Sequence, residues 1–304
     1  MDTWWNDITR FCLLMRVIRS IDQHLNAHYG PYPIYILVAK DWNLDPKQRD
    51  GPYTEWDQAL IRSWVHHSTI VFQEINMYSE DALEPNTTTD VILKWREGYQ
   101  GSVKGRDLGY TSMCRLWSGR LQQMDFIKKY KYYMRLDDDS LFIDKIPEDP
   151  FQKMENNQLT YLYKRGASDH WGVHKLWEIS KPHITITEDT PFLTAQGDYI
   201  GLQPYNNFHI ASVAFWSSPE WMKIWNELNE QHAFFKYRVG DANVHAIAIM
   251  LLEKQQHMVW SSIPYRHNSN DMGPAWAPIE WRLECESAQQ AHNISWIKSH
   301  GMEQ

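Results

Sequence analysis

Two strongly apolar segments on either side of a helical pattern constrain the fold of this chain more than any other feature. IYILVAK at 34–40 and STIVFQEI at 68–75 have the length and the β-branched content of buried strands. Between them, YTEWDQALIRSWVHH at 53–67 has apolar residues at helical spacing, and residues 8–28 show the same spacing before the first strand. Because strands that alternate with helices form βαβ units, the sequence predicts an α/β fold with a mostly parallel sheet.

Helical patterns also follow this unit. Residues 112–130 have helical spacing and lead directly into another apolar strand, YKYYMRL. Two later helices have clear starts: residues 218–232 begin after Ser218 as N-cap, and residues 241–254 place Asp241 at the N-cap position. The 304 residues contain no internal repeat, low-complexity tract or linker, so a single domain is predicted.

Three consecutive aspartates, Asp137, Asp138 and Asp139, follow that later strand in the segment KYYMRLDDDSLFID at 131–144. The apolar residues on both sides predict two short buried strands with the acidic triplet at the turn between them. Carboxylates at the edge of a core need compensation for lost hydration, and a divalent cation such as Mg²⁺ or Mn²⁺ can supply it. The alternative is an acidic turn neutralised by a neighbour such as Arg135. Because ligands of open α/β sheets bind beyond the carboxyl ends of strands, the position of the triplet favours a metal site.

Composition narrows the classes of partner. A formal net charge of -8 and a pI near 5.9 argue against a nucleic-acid backbone as partner. The sequence has no apolar run of the ~20 residues needed to span a bilayer, and its first residues predict an amphipathic helix, not a signal peptide. Three scattered cysteines do not form a disulfide framework. Sixteen tryptophans and sixteen tyrosines fit core packing, stacking platforms for sugar rings or bases, or both.

Several ordered motifs resemble those of a known family. They are GYTSMCRLWSG at 109–119, YKYYMRLDDDSLFIDKI at 130–146, NNFHIASVAFWSS at 206–218, YRVGDANVHAIAIMLL at 237–252, and IPYRH at 263–267. In this order and spacing they are similar to the motifs of the fungal-type Golgi α-1,2-mannosyltransferases, glycosyltransferase family 15. The likeness runs from about residue 8 to residue 268.

The resemblance implies a GT-A glycosyltransferase fold in a single domain over residues 1–304. A nucleotide and metal half would cover about 8–145, an acceptor and catalytic half about 146–268, and a loop-rich tail 269–304. It also implies a retaining enzyme that uses Mn²⁺ (or Mg²⁺) and moves mannose from GDP-mannose to a hydroxyl of a glycan or glycoprotein acceptor. The alternatives are the same fold with a different nucleotide-sugar donor, and a catalytically inactive glycan-binding relative.

The resemblance also assigns roles to individual residues. The metal ligands would be Asp137, Asp139 and His267. The residues near the diphosphate and sugar of the donor would be Tyr110, Arg115 and Asp138, and Asp241 would be a carboxylate that faces the sugar site. Without the resemblance, each has a simpler interpretation: Tyr110 as an aromatic wedge between helix and sheet, Arg115 as an ion-pair partner of the triplet, and His267 as a loop histidine.

One position departs from the family pattern. His209 stands where the family has a glutamate that is proposed as nucleophile or as stabiliser of the transition state, and a neutral imidazole cannot supply the same negative charge. Three consequences are open: front-face transfer without a protein nucleophile, a changed donor or acceptor, or lost activity. His209 is therefore either a catalytic residue beside Asp241 or a packing and hydrogen-bonding histidine. We expect His209→Glu, which restores the family's glutamate, to increase transfer.

A second departure concerns location. Members of the family carry a membrane anchor and structural disulfides, whereas the sequence shows neither pattern. The expected compartment is the cytoplasm, or the lumen if the sequence is a truncated lumenal domain. His245, on an apolar helical face, is interpreted as a core histidine.

Overall fold

A computed structural model of the protein describes residues 4–44, 53–97, 108–267 and 287; the predicted tail at 269–304 lies outside these residues except for residue 287. Short strands alternate with helices along the described chain. The strands are β1 (Ile34–Ala39), β2 (Ile70–Ile75), β3 (Tyr132–Leu136), β4 (Ser140–Phe142), β5 (Tyr161–Tyr163), β6 (Gly166–Ser168), β7 (Leu202–Pro204), β8 (Phe208–Ser212), β9 (His257–Val259) and β10 (Tyr265–His267). The helices are α1 (Trp4–Ile21), α2 (Ala27–Tyr29), α3 (Glu55–Ser63), α4 (Thr89–Glu97), α5 (Leu108–Arg115), α6 (Asp125–Lys128), α7 (Pro150–Asn156), α8 (Val173–Ser180), α9 (Pro219–Glu230), α10 (Ala233–Tyr237) and α11 (Asp241–Met250).

The first two strands pair as the βαβ pattern predicts. β1 and β2 run parallel, with Ile34 opposite Ile70, and α3 separates them in sequence. The larger sheet has the order β3-β8-β5-β9, and in it β8 runs antiparallel to both β3 and β5. The expectation of a mostly parallel sheet is therefore wrong: among the described strands only β1–β2 and β5–β9 pair in parallel, and the other pairs are antiparallel. The apolar pattern of β3 identifies a strand, but it carries no information about a partner far along the chain.

The predicted single helix at 112–130 is also wrong. Its first part, α5, passes into a π-helical turn at Leu116–Arg120, where Gly119 has a φ of 147°. A Cβ atom at Gly119 would lie 3.1 Å from both Trp221 Nε1 and Trp225 Cε3. The glycine thus lets the chain turn under two tryptophans of α9, and that close approach ends the helix.

The starts of α9 and α11 test the two predicted N-cap residues. The Ser218 side chain accepts a hydrogen bond from Trp221 N (3.3 Å), which confirms Ser218 as the N-cap of α9. In α11 the N-cap is Gly240, and Asp241 is the first helical residue, so the prediction of Asp241 as N-cap is wrong. Its carboxylate does not cap the helix because it accepts hydrogen bonds from the side chains of Arg135 and Asn206.

The largest hydrophobic core surrounds α11 and the tryptophans that precede and line α9. Trp216 and Trp221 are fully buried there, and α11 is apolar on all sides apart from a few polar residues. Core packing therefore accounts for part of the aromatic surplus. Among the helices of the described residues, none has the length and apolarity to cross a bilayer.

Candidate active site

The acidic triplet forms the turn between β3 and β4, as predicted. Asp137 N donates to Asn207 O (3.2 Å) and Ser140 N donates to Asp137 O (3.0 Å), which fixes the turn. β10 pairs antiparallel with β4 and places His267 opposite Ser140. Because of this register the imidazole reaches the turn, and His267 Nε2 lies 2.9 Å from Asp139 Oδ1.

Asp137, Asp139 and His267 together form a candidate metal centre. One ligand atom of each residue lies within 4.8 Å of the others, and all three side chains are partly exposed. Two carboxylates and one imidazole suit a divalent ion such as Mn²⁺, and three protein ligands leave positions for phosphate oxygens and water. The residues therefore fit the ion that the resemblance implies. Asp138, the middle residue of the triplet, is exposed and lies outside this group, and its donor-binding role stays a prediction.

Asn207 holds two members of this group. Its side-chain Nδ2 donates a hydrogen bond to Asp137 Oδ2 and lies 3.2 Å from His267 Nε2. A side chain that contacts two metal ligands in this way fixes their orientation. In the sequence, Asn207 belongs to the motif NNFHIASVAFWSS, which by itself predicts no role for its side chain.

A buried arginine connects the acidic turn to α11. Arg135 Nε donates to Asp137 Oδ1 (2.8 Å) and Nη1 donates to Asp241 Oδ2 (2.5 Å), and the guanidinium lies 4.5 Å from the ring centroid of Trp117. Asn206 Nδ2 donates to the same oxygen of Asp241 (2.9 Å). The alternative that Arg135 neutralises the triplet is thus correct for Asp137, and it coexists with the metal group.

The pKa values of Asp137 and Asp241 differ from the usual value of an aspartate in opposite directions. Burial raises the pKa of Asp137, and the positive charge of Arg135 offsets this only in part. Burial also acts to raise the pKa of Asp241, but the charge and hydrogen bond of Arg135 outweigh it and hold that pKa below its usual value. Asp241 is therefore an ionised carboxylate in a buried position, held by two fixed donors.

His209 is fully buried on β8 and uses both ring nitrogens. Since a carbonyl only accepts, Nδ1 carries the proton and donates to Asn206 O (3.0 Å), and Nε2 accepts from Tyr133 Oη (3.1 Å). The ring stacks on Tyr161, with centroids 5.3 Å apart. Burial lowers the pKa of His209 well below its usual value, so the imidazole is neutral. These contacts match the packing and hydrogen-bonding interpretation of His209 and not the catalytic one.

His245, on α11, is a core histidine as interpreted from the sequence. It donates from Nε2 to Trp117 O (2.9 Å) and accepts at Nδ1 from Tyr161 Oη (2.6 Å). Burial lowers its pKa to about 4. Two neutral histidines therefore support the sheet beneath Asp241 without adding charge to the site.

The structure does not bring Arg115 to the acidic turn. Its Nε donates to Asn229 Oδ1 (2.8 Å) and its Nη1 donates to Ala82 O (2.6 Å), and the residue is buried. The arginine beside the triplet is Arg135. Tyr110 is partly buried and packs against the largest core cluster, which agrees with its interpretation as a wedge. For Arg115 and Tyr110, donor binding stays a prediction.

The chain is similar to several known proteins. A family model described as Glycolipid 2-alpha-mannosyltransferase matches residues 9–304. Glycolipid 2-alpha-mannosyltransferase 1 from Candida albicans is 29% identical over 179 residues, which are 54% of this chain and 41% of that protein. A glycolipid 2-alpha-mannosyltransferase from Saccharomyces cerevisiae is 28% identical over 293 residues, 91% of this chain and 62% of that protein. The chain thus spans about half the length of several curated relatives that it matches.

The solved structures confirm the fold. The crystal structure of core-mannan synthase A from Aspergillus fumigatus, in its Mn/GDP form, superposes with a TM-score of 0.69 at 20% identity and covers 94% of this chain and 82% of that chain. This likeness confirms the predicted GT-A glycosyltransferase fold. Because the family model matches nearly all of the chain, the protein belongs to the glycolipid 2-alpha-mannosyltransferase family.

Proposed function

We propose that the protein is a metal-dependent retaining glycosyltransferase that moves mannose from GDP-mannose to a hydroxyl of a glycan, with Mn²⁺ as its ion and an α-1,2 linkage as product. One observation carries the proposal: Asp137 belongs both to the candidate metal centre and to a buried ion-pair network that ends at Asp241. The names of the relatives support mannose as the sugar, and the Mn/GDP form of the Aspergillus enzyme supports the ion and the nucleotide.

Each residue of the network has a role in this proposal. Asp137, Asp139 and His267 would hold the ion, which when bound neutralises the negative charge that grows on the departing diphosphate. Arg135 fixes Asp137 and Asp241 at the same time. The ionised Asp241 faces the sugar, where its negative charge stabilises the positive charge that develops at the anomeric carbon.

His209 bears on how the configuration is retained. A fully buried, neutral imidazole with both nitrogens engaged cannot attack the sugar or stabilise a cation. In the proposed reaction the configuration is therefore retained by front-face transfer, in which the acceptor hydroxyl attacks from the side that the diphosphate leaves. The acceptor is then a glycan whose hydroxyl lies close to both the diphosphate and Asp241.

A manganese-dependent transfer assay with GDP-mannose and mannobiose tests the proposal. We expect Asp139→Ala to lose at least about a hundredfold in transfer and to lose the thermal shift that Mn²⁺ gives to the wild type. Asp144→Ala is the matched control, because Asp144 is an exposed aspartate just beyond β4 and does not belong to the candidate metal centre. Full transfer by the Asp139 variant would contradict the metal assignment.

A second candidate is a glycan-binding relative without activity. The neutral, buried His209 favours it, since the position that carries the family's glutamate holds no carboxylate here. Measurable transfer or hydrolysis of GDP-mannose by the wild type excludes this candidate. Binding of Mn²⁺ and GDP without turnover of GDP-mannose supports it.

A further inference from the structure

Three exposed apolar side chains lie together beside the chain segment that leads into α11. Trp171 is 43% exposed, Ile200 48% and Leu202 40%. Their segments are joined by the β6–β7 pairing, in which Ser168 is opposite Leu202, and by a hydrogen bond between His170 Nδ1 and Ile200 O (2.9 Å). An exposed cluster of this kind marks a binding surface more often than a scattered set of single residues does.

Two glycines allow the backbone segments that carry this surface to pack closely against one another. Gly172 has a φ of +69°, and a Cβ atom there would lie 2.9 Å from Val239 Cα and 3.0 Å from Arg238 O. Gly201 has a φ of +94°, and a Cβ atom there would lie 2.1 Å from Asp169 O. Both positions therefore require glycine, because the backbones of the three segments touch. The loop that carries Trp171 is fixed against the segment that precedes α11.

Arg238 lies directly under the indole. Its guanidinium carbon is 4.6 Å from the ring centroid of Trp171, and the residue is only 6% exposed. Nε and Nη1 are buried and have no hydrogen-bond partner within the described part of the protein. A buried arginine normally satisfies its nitrogens. Here the guanidinium packs against the aromatic face, which fixes an exposed indole instead of completing hydrogen bonds in the core.

The surroundings of the indole suit a sugar. His170, Gly172 and Tyr237, the chain neighbours of Trp171 and Arg238, line an open depression of about 380 Å³ that also has polar side chains on its wall. A pyranose ring has an apolar face for stacking and hydroxyls that such side chains can bind.

The loop that carries Trp171 is connected to the first turn of α11, where Asp241 lies. Arg238 is three residues before Asp241, and Asn243, on the first turn of α11, donates from Nδ2 to Asp169 O (3.3 Å). The surface is thus connected to the site through α11, whose first residue is Asp241, and not through the turn whose aspartates, with His267, would hold the ion.

We infer that Trp171, backed by Arg238, is a stacking platform for a pyranose ring of the glycan acceptor. The ring lies on the outer face of the indole and directs a neighbouring hydroxyl toward Asp241. This inference rests on the proposed transfer reaction and specifies the acceptor side of that same site.

Steady-state kinetics with GDP-mannose and mannobiose test it. We expect Trp171→Ala to raise the KM for mannobiose at least about tenfold, because the stacked ring loses its partner. The KM for GDP-mannose and the rate of its hydrolysis by water should stay unchanged. Trp171→Phe should recover most of the acceptor affinity, and Arg238→Met should give an intermediate rise in the same KM. Trp56→Ala is the matched control, since Trp56 is 41% exposed on α3 and belongs to neither site.

The outcomes separate the inference from the proposed function. If Trp171→Ala and Trp56→Ala have the same KM for mannobiose, or if Trp171→Ala changes the KM for GDP-mannose instead, the acceptor platform is refuted. If the wild type shows no turnover of GDP-mannose, the proposed function fails, and saturation-transfer NMR with mannobiose still tests the platform. In that experiment the wild type and Trp56→Ala should bind the sugar and Trp171→Ala should not.

Discussion

His209 allows a sharp test of the buried network beneath Asp241. Replacing it by glutamate puts a carboxyl group where the imidazole now donates to Asn206 O and accepts from Tyr133 Oη. A protonated glutamate can make both hydrogen bonds, whereas an ionised one cannot donate to Asn206 O and leaves a buried charge. The cation on the paired strand, Arg135, is already engaged by Asp137 and Asp241. The variant should therefore keep its proton, and burial should raise the pKa of the introduced carboxyl group to around 8.

The expected loss of stability depends on pH. The carboxyl group has a pKa of about 4.3 in the unfolded chain, and each unit of difference corresponds to about 1.4 kcal/mol. Because its pKa is raised in the folded state, stability is present at low pH and is lost as the pH rises. At pH 5 the cost from ionisation is about 1 kcal/mol, and at pH 8 it is about 5 kcal/mol, which is much of the stability of an ordinary domain.

His209→Gln is the reference variant, because an amide can donate to Asn206 and accept from Tyr133 without titrating. We expect the free energy of unfolding in urea to be only about 1 kcal/mol lower for the glutamate variant than for the glutamine variant at pH 5, and about 4–5 kcal/mol lower at pH 8. The transfer activity of the glutamate variant should fall together with its stability, because Asn206, which contacts residue 209, also donates a hydrogen bond to Asp241. This reverses the expectation from the sequence that glutamate restores activity. Equal stability of the two variants at pH 8 would refute the reasoning.

Three further predictions concern other contacts. Burial raises the pKa of Glu84 to about 8, so its protonated form is favoured in the folded state and stability falls as the pH rises from about 4.5 to about 8. Glu84→Gln should therefore raise the melting temperature relative to the wild type at pH 8.5 but not at pH 4.5. An equal fall in the melting temperature at both pH values would show that Glu84 is an ionised partner of Arg115. Asn207→Ala should weaken Mn²⁺ binding about 10- to 100-fold in calorimetry, because Asp137 and His267 lose a shared contact; unchanged affinity would remove Asn207 from the site. Ser218→Ala should lower the free energy of unfolding by about 1 kcal/mol through the lost cap of α9, whereas Ser218→Asp should not.

The elements with local signals could be predicted from the sequence. The turn at Asp137–Asp139 was predicted because apolar strands flank it, and the Ser218 cap because the residue type and the following pattern agree. The break at Gly119 was missed: its only signal is a glycine within a helical pattern, and its cause is the contact with Trp221 and Trp225.

The parts of the site that depend on distant residues could not be derived in the same way. His267 has no local feature of a ligand, and only the family resemblance indicated it before the β4–β10 register placed it beside Asp139. The same resemblance assigns Arg115 to the donor site, and that role stays a prediction; in the structure Arg115 donates hydrogen bonds to Asn229 and Ala82. The bond between Arg135 and Asp241 joins two segments whose proximity is a product of the whole fold.

The pairing of β10 with β4 has a consequence for biosynthesis. The imidazole of His267 enters the centre from a strand that leaves the ribosome long after the acidic turn, so an emerging chain that ends at β9 presents two carboxylates without their nitrogen ligand. Coordination of the proposed ion by all three ligands would therefore come only after β10 has been made, and the earlier half of the molecule would fold without the complete site. Once bound, the ion would connect β10, which is synthesised late, to the turn between β3 and β4, which is synthesised earlier.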